Sequence, residues 1–233
     1  MEKIISKNPN AVAEGFAAWL AERIVPGKAF HLALSGGSTP KILFAHLAEH
    51  YQDKISWADL HLWWGDERCV PPDHADSNYL MTKELLIDHV GIPSENVHRV
   101  IGEADPTEEA KRYGAEIDNT IPQKEGLPAF DLIMLGMGSD GHTASIFPHQ
   151  MELLESKETC VVATHPESGQ IRVSLSGPVI NNADAVAFLV TGTSKTEKVE
   201  AIFSGLEESK IYPAAHIAPR GELFWFLDEA ASA

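Results

Sequence analysis

"FHLALSGGSTPKILFAHLAEH", residues 30–50, decides the fold. Phe30–Leu34 is a short apolar run of the kind that fills a strand covered on both faces. Ser35-Gly36-Gly37-Ser38-Thr39 breaks it with turn formers, and Pro40 stands where proline suits the first turn of a helix. "PKILFAHLAEH" then continues at helical spacing. The stretch reads as strand, tight polar turn and helix, which is the opening half of a βαβ unit.

The same grammar recurs outward in both directions. "LHLWW" (60–64) predicts a second strand, and a helix follows from about Ser77 until Gly91-Ile92-Pro93 ends it. "FDLIML" (130–135) predicts a third strong strand. "DAVAFLVTG" (184–192) predicts another, with a helix opening directly after it at Thr193. Upstream, "AVAEGFAAWLAERI" (11–24) places Val12, Phe16, Trp19, Leu20 and Ile24 on one helical stripe behind an Asn8-Pro9 start signal. "VHRV" (97–100), "QIRVSLS" (170–176) and "ELFWFLD" (222–228) read as further strands. Residues 106–119 read as a charged helix, "IPQKEGLPA" (121–129) as a loop, and "HTASIFP" (142–148) as a short helix that Pro148 interrupts.

Strand–loop–helix alternation implies right-handed crossovers. The predicted fold is therefore α/β: a mainly parallel, Rossmann-like sheet with helices on both faces, in one domain spanning residues 1–233. Such folds bind ligands beyond the carboxyl ends of their strands. Four polar loops should converge there: "SGGSTP" (35–40), "GDERCVPP" (65–72), "GMGSDGHT" (136–143) and "GTSK" (192–195).

Bulk properties narrow the class. A chain of 233 residues with 44% hydrophobic and 22% charged content can bury a sizeable core and needs no unusual environment. Its apolar runs fall well short of the roughly 20 residues that span a bilayer. "MEKIISKNPN" has no apolar core of a signal peptide, and none is expected. Two cysteines, Cys69 and Cys160, make no disulfide framework and match no zinc spacing, so a cytoplasmic, reducing compartment is expected. A net charge of −16 argues against nucleic acid or an anionic membrane as a partner. An anionic substrate would have to be held by a few local cations and backbone N–H groups.

Those cations stand beside the glycine loops. Ser35, Gly36, Gly37, Ser38 and Thr39 precede a helix N-terminus, a setting that suits a phosphate or oxyanion. The P-loop spacing is absent. Asp66, Glu67 and Arg68 follow the second strand, and two prolines stiffen the loop around Arg68. Asp73, His74 and Asp76 lie too close together on one loop to argue for a metal, and none is expected. Cys69 beside Arg68 reads as a small semi-buried side chain rather than an activated thiolate.

Gly136, Gly138 and Gly141 satisfy G-x-G-x-x-G. A dinucleotide turn belongs to the first βα unit, however, and this one lies past mid-chain. The better reading is a supple turn that presents His142 as a general base, with Asp140 or Asp66 fixing its tautomer. Arg172 and Lys195, each near a strand end among hydroxyls and glycine, can clamp a phosphate dianion.

Taken together, "LSGGSTP", "WGDERCVPPDHADSNY", "GMGSDGHTASIFP" and "RVSLSGPVINNA" resemble, in this order, the 6-phosphogluconolactonases of the pentose phosphate pathway. That family lies in a superfamily with glucosamine-6-phosphate deaminase and ribose-5-phosphate isomerase. The resemblance runs from the first helix to "ELFWFLD". Where the deaminases carry a glutamate before the closing proline this chain has Phe147, and where they carry Asp-Glu-Tyr it has Asp66-Glu67-Arg68.

The resemblance thus implies hydrolysis of 6-phospho-D-glucono-1,5-lactone to 6-phospho-D-gluconate, with His142 activating water. Phosphate would rest on Ser38, Thr39, Arg172 and Lys195. The oxyanion would be met by Gly36 or Gly37 N–H groups or by Arg68. It implies no metal, nucleotide or other cofactor, and functional coupling to glucose-6-phosphate dehydrogenase. Two alternatives stay open: a deaminase-like isomerase, and a non-catalytic sugar-phosphate-binding module. The acidic charge and lack of a helix-turn-helix extension speak against the second.

Overall fold

The computed structural model describes residues 1–232. In chain order its elements are β1 (Glu2–Ser6), α1 (Pro9–Arg23), β2 (Phe30–Leu34), α2 (Ser38–His50), β3 (Leu60–Trp64), β4 (Asp66–Arg68) and α3 (Asn78–Leu85). They continue with α4 (Pro106–Thr120), β5 (Gln123–Lys124), β6 (Leu127–Pro128), β7 (Leu132–Leu135), β8 (Cys160–Thr164) and β9 (Ile171–Leu175). The last are α5 (Gly177–Asn181), β10 (Ala185–Val190), α6 (Thr196–Phe203), β11 (Glu222–Asp228) and α7 (Glu229–Ser232).

Six strands form one wholly parallel sheet in the order β1-β11-β10-β7-β2-β3. The apolar runs become its centre because helices cover both faces. On one face Phe16 of α1 meets Phe226 edge-on at 5.1 Å, and Tyr79 of α3 meets Trp64 at 5.5 Å. On the other, Trp225 stacks on Phe188 at 4.0 Å beneath Phe203 of α6, and Trp63 lies 6.0 Å from Tyr113 of α4. Side chains of this size each contribute about 1.5–3 kcal/mol on full burial. Helix α1 starts as expected, with the Asn8 side chain accepting from Ala11 N at 3.0 Å and Pro9 following.

A second sheet, β4-β9-β8, is antiparallel and continues from the carboxyl end of β3. The change of direction happens at Gly65. Its N–H still donates to Leu34 in the parallel ladder (2.8 Å), while its C=O already accepts from Leu175 N (2.8 Å). "QIRVSLS" is therefore a strand, but it belongs to this smaller sheet.

Other expectations need correction. The α2 helix begins at Ser38 rather than Pro40, because Gly37 takes φ +117 at the cap and places Ser38 and Thr39 in the first turn. "VHRV" is not a strand: Val97 makes one isolated bridge to Leu62, and the Tyr113 hydroxyl takes His98 C=O at 3.2 Å before a ladder can extend. "HTASIFP" holds no helix. Thr143 and Ile146 close a turn in which Ala144 is left-handed at φ +47. There Thr143 Oγ1 is spent on Gly136 O (2.8 Å) and Ser145 N on Ser174 Oγ (3.1 Å). "IPQKEGLPA" is a hairpin, β5–β6, whose Glu125 and Gly126 both have positive φ, as a twist-matched two-residue turn requires.

Near the amino ends of β2 and β3 lies a cluster of imidazoles. His31 and His61 are cross-strand partners, and His61 Nδ1 is 3.2 Å from His98 Nε2. His98 stacks on Trp63 at 3.8 Å and meets Glu116 at 2.8 Å; Trp63 Nε1 donates to His31 Nδ1 at 3.2 Å. Burial first, then His61 and His98, bring the His31 pKa down to about 4. An unfolded chain restores it to about 6.5, so the unfolded state binds more protons between those values and stability falls as pH drops through that window. The urea midpoint followed by circular dichroism should decline from pH 6.5 towards 4, and His31→Gln, which keeps an acceptor for Trp63, should flatten the decline. An unchanged slope in that variant would remove His31 as its source.

Candidate active site

Crossovers leave the sheet in opposite directions on either side of the β2–β7 pair, since β3 lies beyond β2 while β10 and β11 lie beyond β7. The crevice of a doubly wound sheet opens at such a reversal. A cavity of about 200 Å³ occupies it, and Gly36, Arg68, Asn78, Gly138, His142 and Arg172 are among its lining residues.

The His142 imidazole stands in that wall with Nδ1 2.6 Å from Asp140 Oδ1, and the same oxygen accepts His142 N at 3.2 Å. This contact makes Asp140, not Asp66, the carboxylate that orients the ring. Burial raises the Asp140 pKa, but the bond to His142 and its charge outweigh burial and bring it to about 2. With Nδ1–H directed at a carboxylate, Nε2 is left to accept a proton, which is the tautomer a general base needs. Two glycines make the pair possible. A Cβ on Gly138 would fall 2.2 Å from His142 Nδ1, and one on Gly141, itself at φ +82, would strike the Tyr212 ring at 2.5 Å. Ala214 N donates to Gly141 O at 3.1 Å, so the loop is held from behind. Phe147, fully buried, backs the His142 ring at 4.7 Å.

The second sheet supplies cations. Register places Arg68 directly opposite Arg172 on β4 and β9. Like charges in that relation are destabilising by themselves. Asp66 offsets part of the cost: its Oδ2 lies 3.7 Å from Arg172 and accepts from Ser145 Oγ at 2.6 Å. Burial lowers the Arg172 pKa, Asp66 opposes the shift, and Arg68 adds to it. The Nε atoms of both arginines are buried with no partner, so donors remain unspent beside the cavity. An anion is what such a pair lacks.

The remaining expected residues are distributed more unevenly. Ser35, Gly36 and Gly37 line the cavity, next to the amino end of α2. Ser38 instead lines an adjoining groove between α2 and α3. Thr39 is buried, its Oγ1 2.8 Å from Thr191 Oγ1. Lys195, in a 3₁₀ turn before α6, does not line the cavity proper; burial lowers its pKa while the Asp140 charge opposes the shift. Its ammonium makes no hydrogen bond or ion pair to another described residue, while its backbone N donates to Gly192 O at 3.1 Å. Sequence reading assigned no role to Asn78, whose amide donates to Asp66 O at 2.9 Å and whose Oδ1 occupies the space a Gly36 Cβ would need. Its signal lay only in belonging to the "DHADSNY" stretch. Cys69 is half-buried, and burial pushes its thiol up to about 11, which removes it as a nucleophile at neutral pH. Among the described residues no group of three or more His, Cys, Asp or Glu side chains is arranged to hold a metal. No helix among them is long and apolar enough to cross a membrane.

A histidine–carboxylate pair facing two arginines whose Nε donors are unspent, at the reversal point of a parallel sheet, defines an α/β enzyme site for a small anionic substrate. The chain belongs to the family of glucosamine-6-phosphate isomerases and 6-phosphogluconolactonases, whose pattern matches residues 6–225. It is 48% identical over 203 residues to the 6-phosphogluconolactonase of Haemophilus influenzae, covering 86% of this chain and 85% of that one. It is 40% identical over 237 residues to the human GDH/6PGL endoplasmic bifunctional protein, covering 97% of this chain and 28% of that one. Among solved structures, the devB protein superposes with a TM-score of 0.95 at 43% identity, covering 99% of this chain and 98% of that one.

Gly138→Ala tests the central pair. Its Cβ should part His142 from Asp140, abolishing the hydrogen-bonded Nδ1–H resonance in NMR while far-UV circular dichroism stays unchanged. A retained resonance would show that the loop absorbs the methyl group.

Proposed function

We propose that this chain hydrolyses 6-phospho-D-glucono-1,5-lactone to 6-phospho-D-gluconate, the activity its relatives are named for. The observation that carries the reading is the juxtaposition, in one cavity, of His142 held by Asp140 and the two guanidiniums of Arg68 and Arg172. In this mechanism His142 Nε2 takes a proton from water as the water attacks C1. The oxyanion that forms is met by Arg68 or by N–H groups of Gly36 and Gly37. The C1–ring-oxygen bond then breaks and His142 returns the proton to the departing ring oxygen. Arg172, with Lys195 at the edge of the site and the amino end of α2 at Ser38 and Thr39, holds the phosphate. A single general base contributes about 10²–10⁴-fold, a sufficient share for a lactone that already hydrolyses unaided.

The deaminase alternative is less well supported, because the buried ring of Phe147 fills the place where the resemblance would require a glutamate. We further infer a cytoplasmic setting, in keeping with two free cysteines, and functional coupling to a glucose-6-phosphate dehydrogenase that forms the lactone.

Purified protein should remove 6-phosphogluconolactone well above its spontaneous rate and leave glucosamine 6-phosphate untouched; the reverse preference would overturn the reading. His142→Ala should lower kcat by about 10²-fold or more with the fold intact, and near-normal turnover would dismiss His142 as the base. Arg172→Ala and Lys195→Ala should each raise KM by about 10- to 100-fold, the worth of a charge-assisted contact. They should hardly change hydrolysis of unphosphorylated gluconolactone. Equal losses on both substrates would contradict the phosphate assignment.

A further inference from the structure

Glu67 takes no part in the chemistry above, yet it is only 2% exposed. It stands between Asp66 and Arg68 on β4, and strand alternation turns its side chain away from theirs. A carboxylate so deep is costly unless its lone pairs are filled. Here they are filled by four donors. Oε1 accepts Arg68 N at 2.7 Å and Asn78 N at 2.8 Å; Oε2 accepts Tyr79 N at 2.7 Å and Ser77 Oγ at 3.0 Å. Burial pushes its pKa up, and these four bonds pull against that shift.

The pattern does more than satisfy a buried charge. Ser77, Asn78 and Tyr79 open α3, so Glu67 caps that helix from another element. The same carboxylate closes the base of the loop between β4 and α3, across which Arg68 NH1 reaches Asp76 O at 2.6 Å. One atom, Oε1, holds the backbone N–H of Arg68 and that of Asn78 together, and both of those side chains line the cavity. An apolar anchor could fasten the loop; an acceptor shared by the two N–H groups also fixes these two residues relative to each other.

We propose that Glu67 is a positioning residue for the lactone hydrolysis inferred above, acting through Arg68 by fixing the β4–α3 corner on which Arg68 and Asn78 stand. Glu67→Gln keeps the shape, but in either orientation its NH2 faces a backbone N–H that needs an acceptor: those of Arg68 and Asn78, or that of Tyr79.

The test is a double-mutant cycle on 6-phosphogluconolactone with wild type, Glu67→Gln, Arg68→Ala and the double variant. Glu67→Gln should lower kcat by about 10- to 100-fold, the scale of an ångström-sized misplacement, with a much smaller change in KM. In the Arg68→Ala background it should cost nothing beyond about twofold. Losses that multiply in the double variant, or wild-type kcat in Glu67→Gln, would overturn the proposal. Should Glu67→Gln fail to fold, Ser77→Ala, which removes one donor from Oε2, goes through the same cycle. A few-fold loss that vanishes without Arg68 is then expected, and a loss that persists refutes it. The Arg68 Nε–H signal in NMR reads the same question without turnover: it should shift in the Glu67 or Ser77 variant, and an unmoved signal contradicts the claim. Absence of turnover by the wild-type chain would instead sink the hydrolase reading alone.

Discussion

Every feature of the site depends on the reversal of winding between β2 and β7. Two adjacent parallel strands whose crossovers depart in opposite directions cannot both be covered at their carboxyl ends, and the gap they leave is the cavity. Each strand enters it through glycine: Gly36 and Gly37 after β2, Gly136 and Gly138 after β7. A Cβ on Gly36 would collide with the Asn78 amide, and one on Gly138 with the His142 and Asp140 side chains. The absence of these Cβ atoms admits Asn78 from one side and the His142–Asp140 pair from the other.

That gap is cationic in an otherwise acidic molecule. With a net charge of −16, the global field repels an anionic sugar. The counterweight is local: a short antiparallel sheet hung from the end of β3 sets Arg68 opposite Arg172, and the helix α2 points its amino end at the same region. Two arginines in cross-strand register, with one buried aspartate beside Arg172, are an arrangement that stability alone would not favour. Their donors are fixed before any ligand arrives, as electrostatic preorganisation requires. The left-handed Ala144 in the cavity wall is a further cost, of the kind that active-site walls commonly carry. The imidazole cluster at the amino ends of β2 and β3 lies away from this cavity, so acid sensitivity of folding and chemistry of the site rest on separate histidines.

Much of this was readable in the residues themselves. Strands β2, β3, β7 and β10 are largely apolar runs because both their faces are covered; α1 announces itself by Asn8-Pro9 and α4 by its charged stretch from Pro106. The glycine loops pointed to His142, Asp140 and Arg68 because few other loops combine backbone freedom with chemistry. What escaped is whatever depends on tertiary pairing. β1 is an edge strand with charged and exposed positions, and β4, "DER", has no apolar character at all; it becomes a strand only because β9 offers it a partner. "VHRV" looked more like a strand than either, and failed because Tyr113 claims its carbonyl. The contacts of Glu67 and Asn78, and the choice of Asp140 over Asp66 beside His142, are set by distances across loops that no local pattern encodes.

A crystal structure of the protein with 6-phosphogluconate bound measures the central claim most directly, because the product carries both the former lactone carbon and the phosphate. The account predicts a C1 carboxylate oxygen about 2.6–3.2 Å from His142 Nε2, directly or through one water. It also predicts the phosphate at the far end, against Arg172 and Lys195 near the amino end of α2. A product bound the other way round, or one whose C1 lies beyond the reach of His142 and a single water, would contradict it.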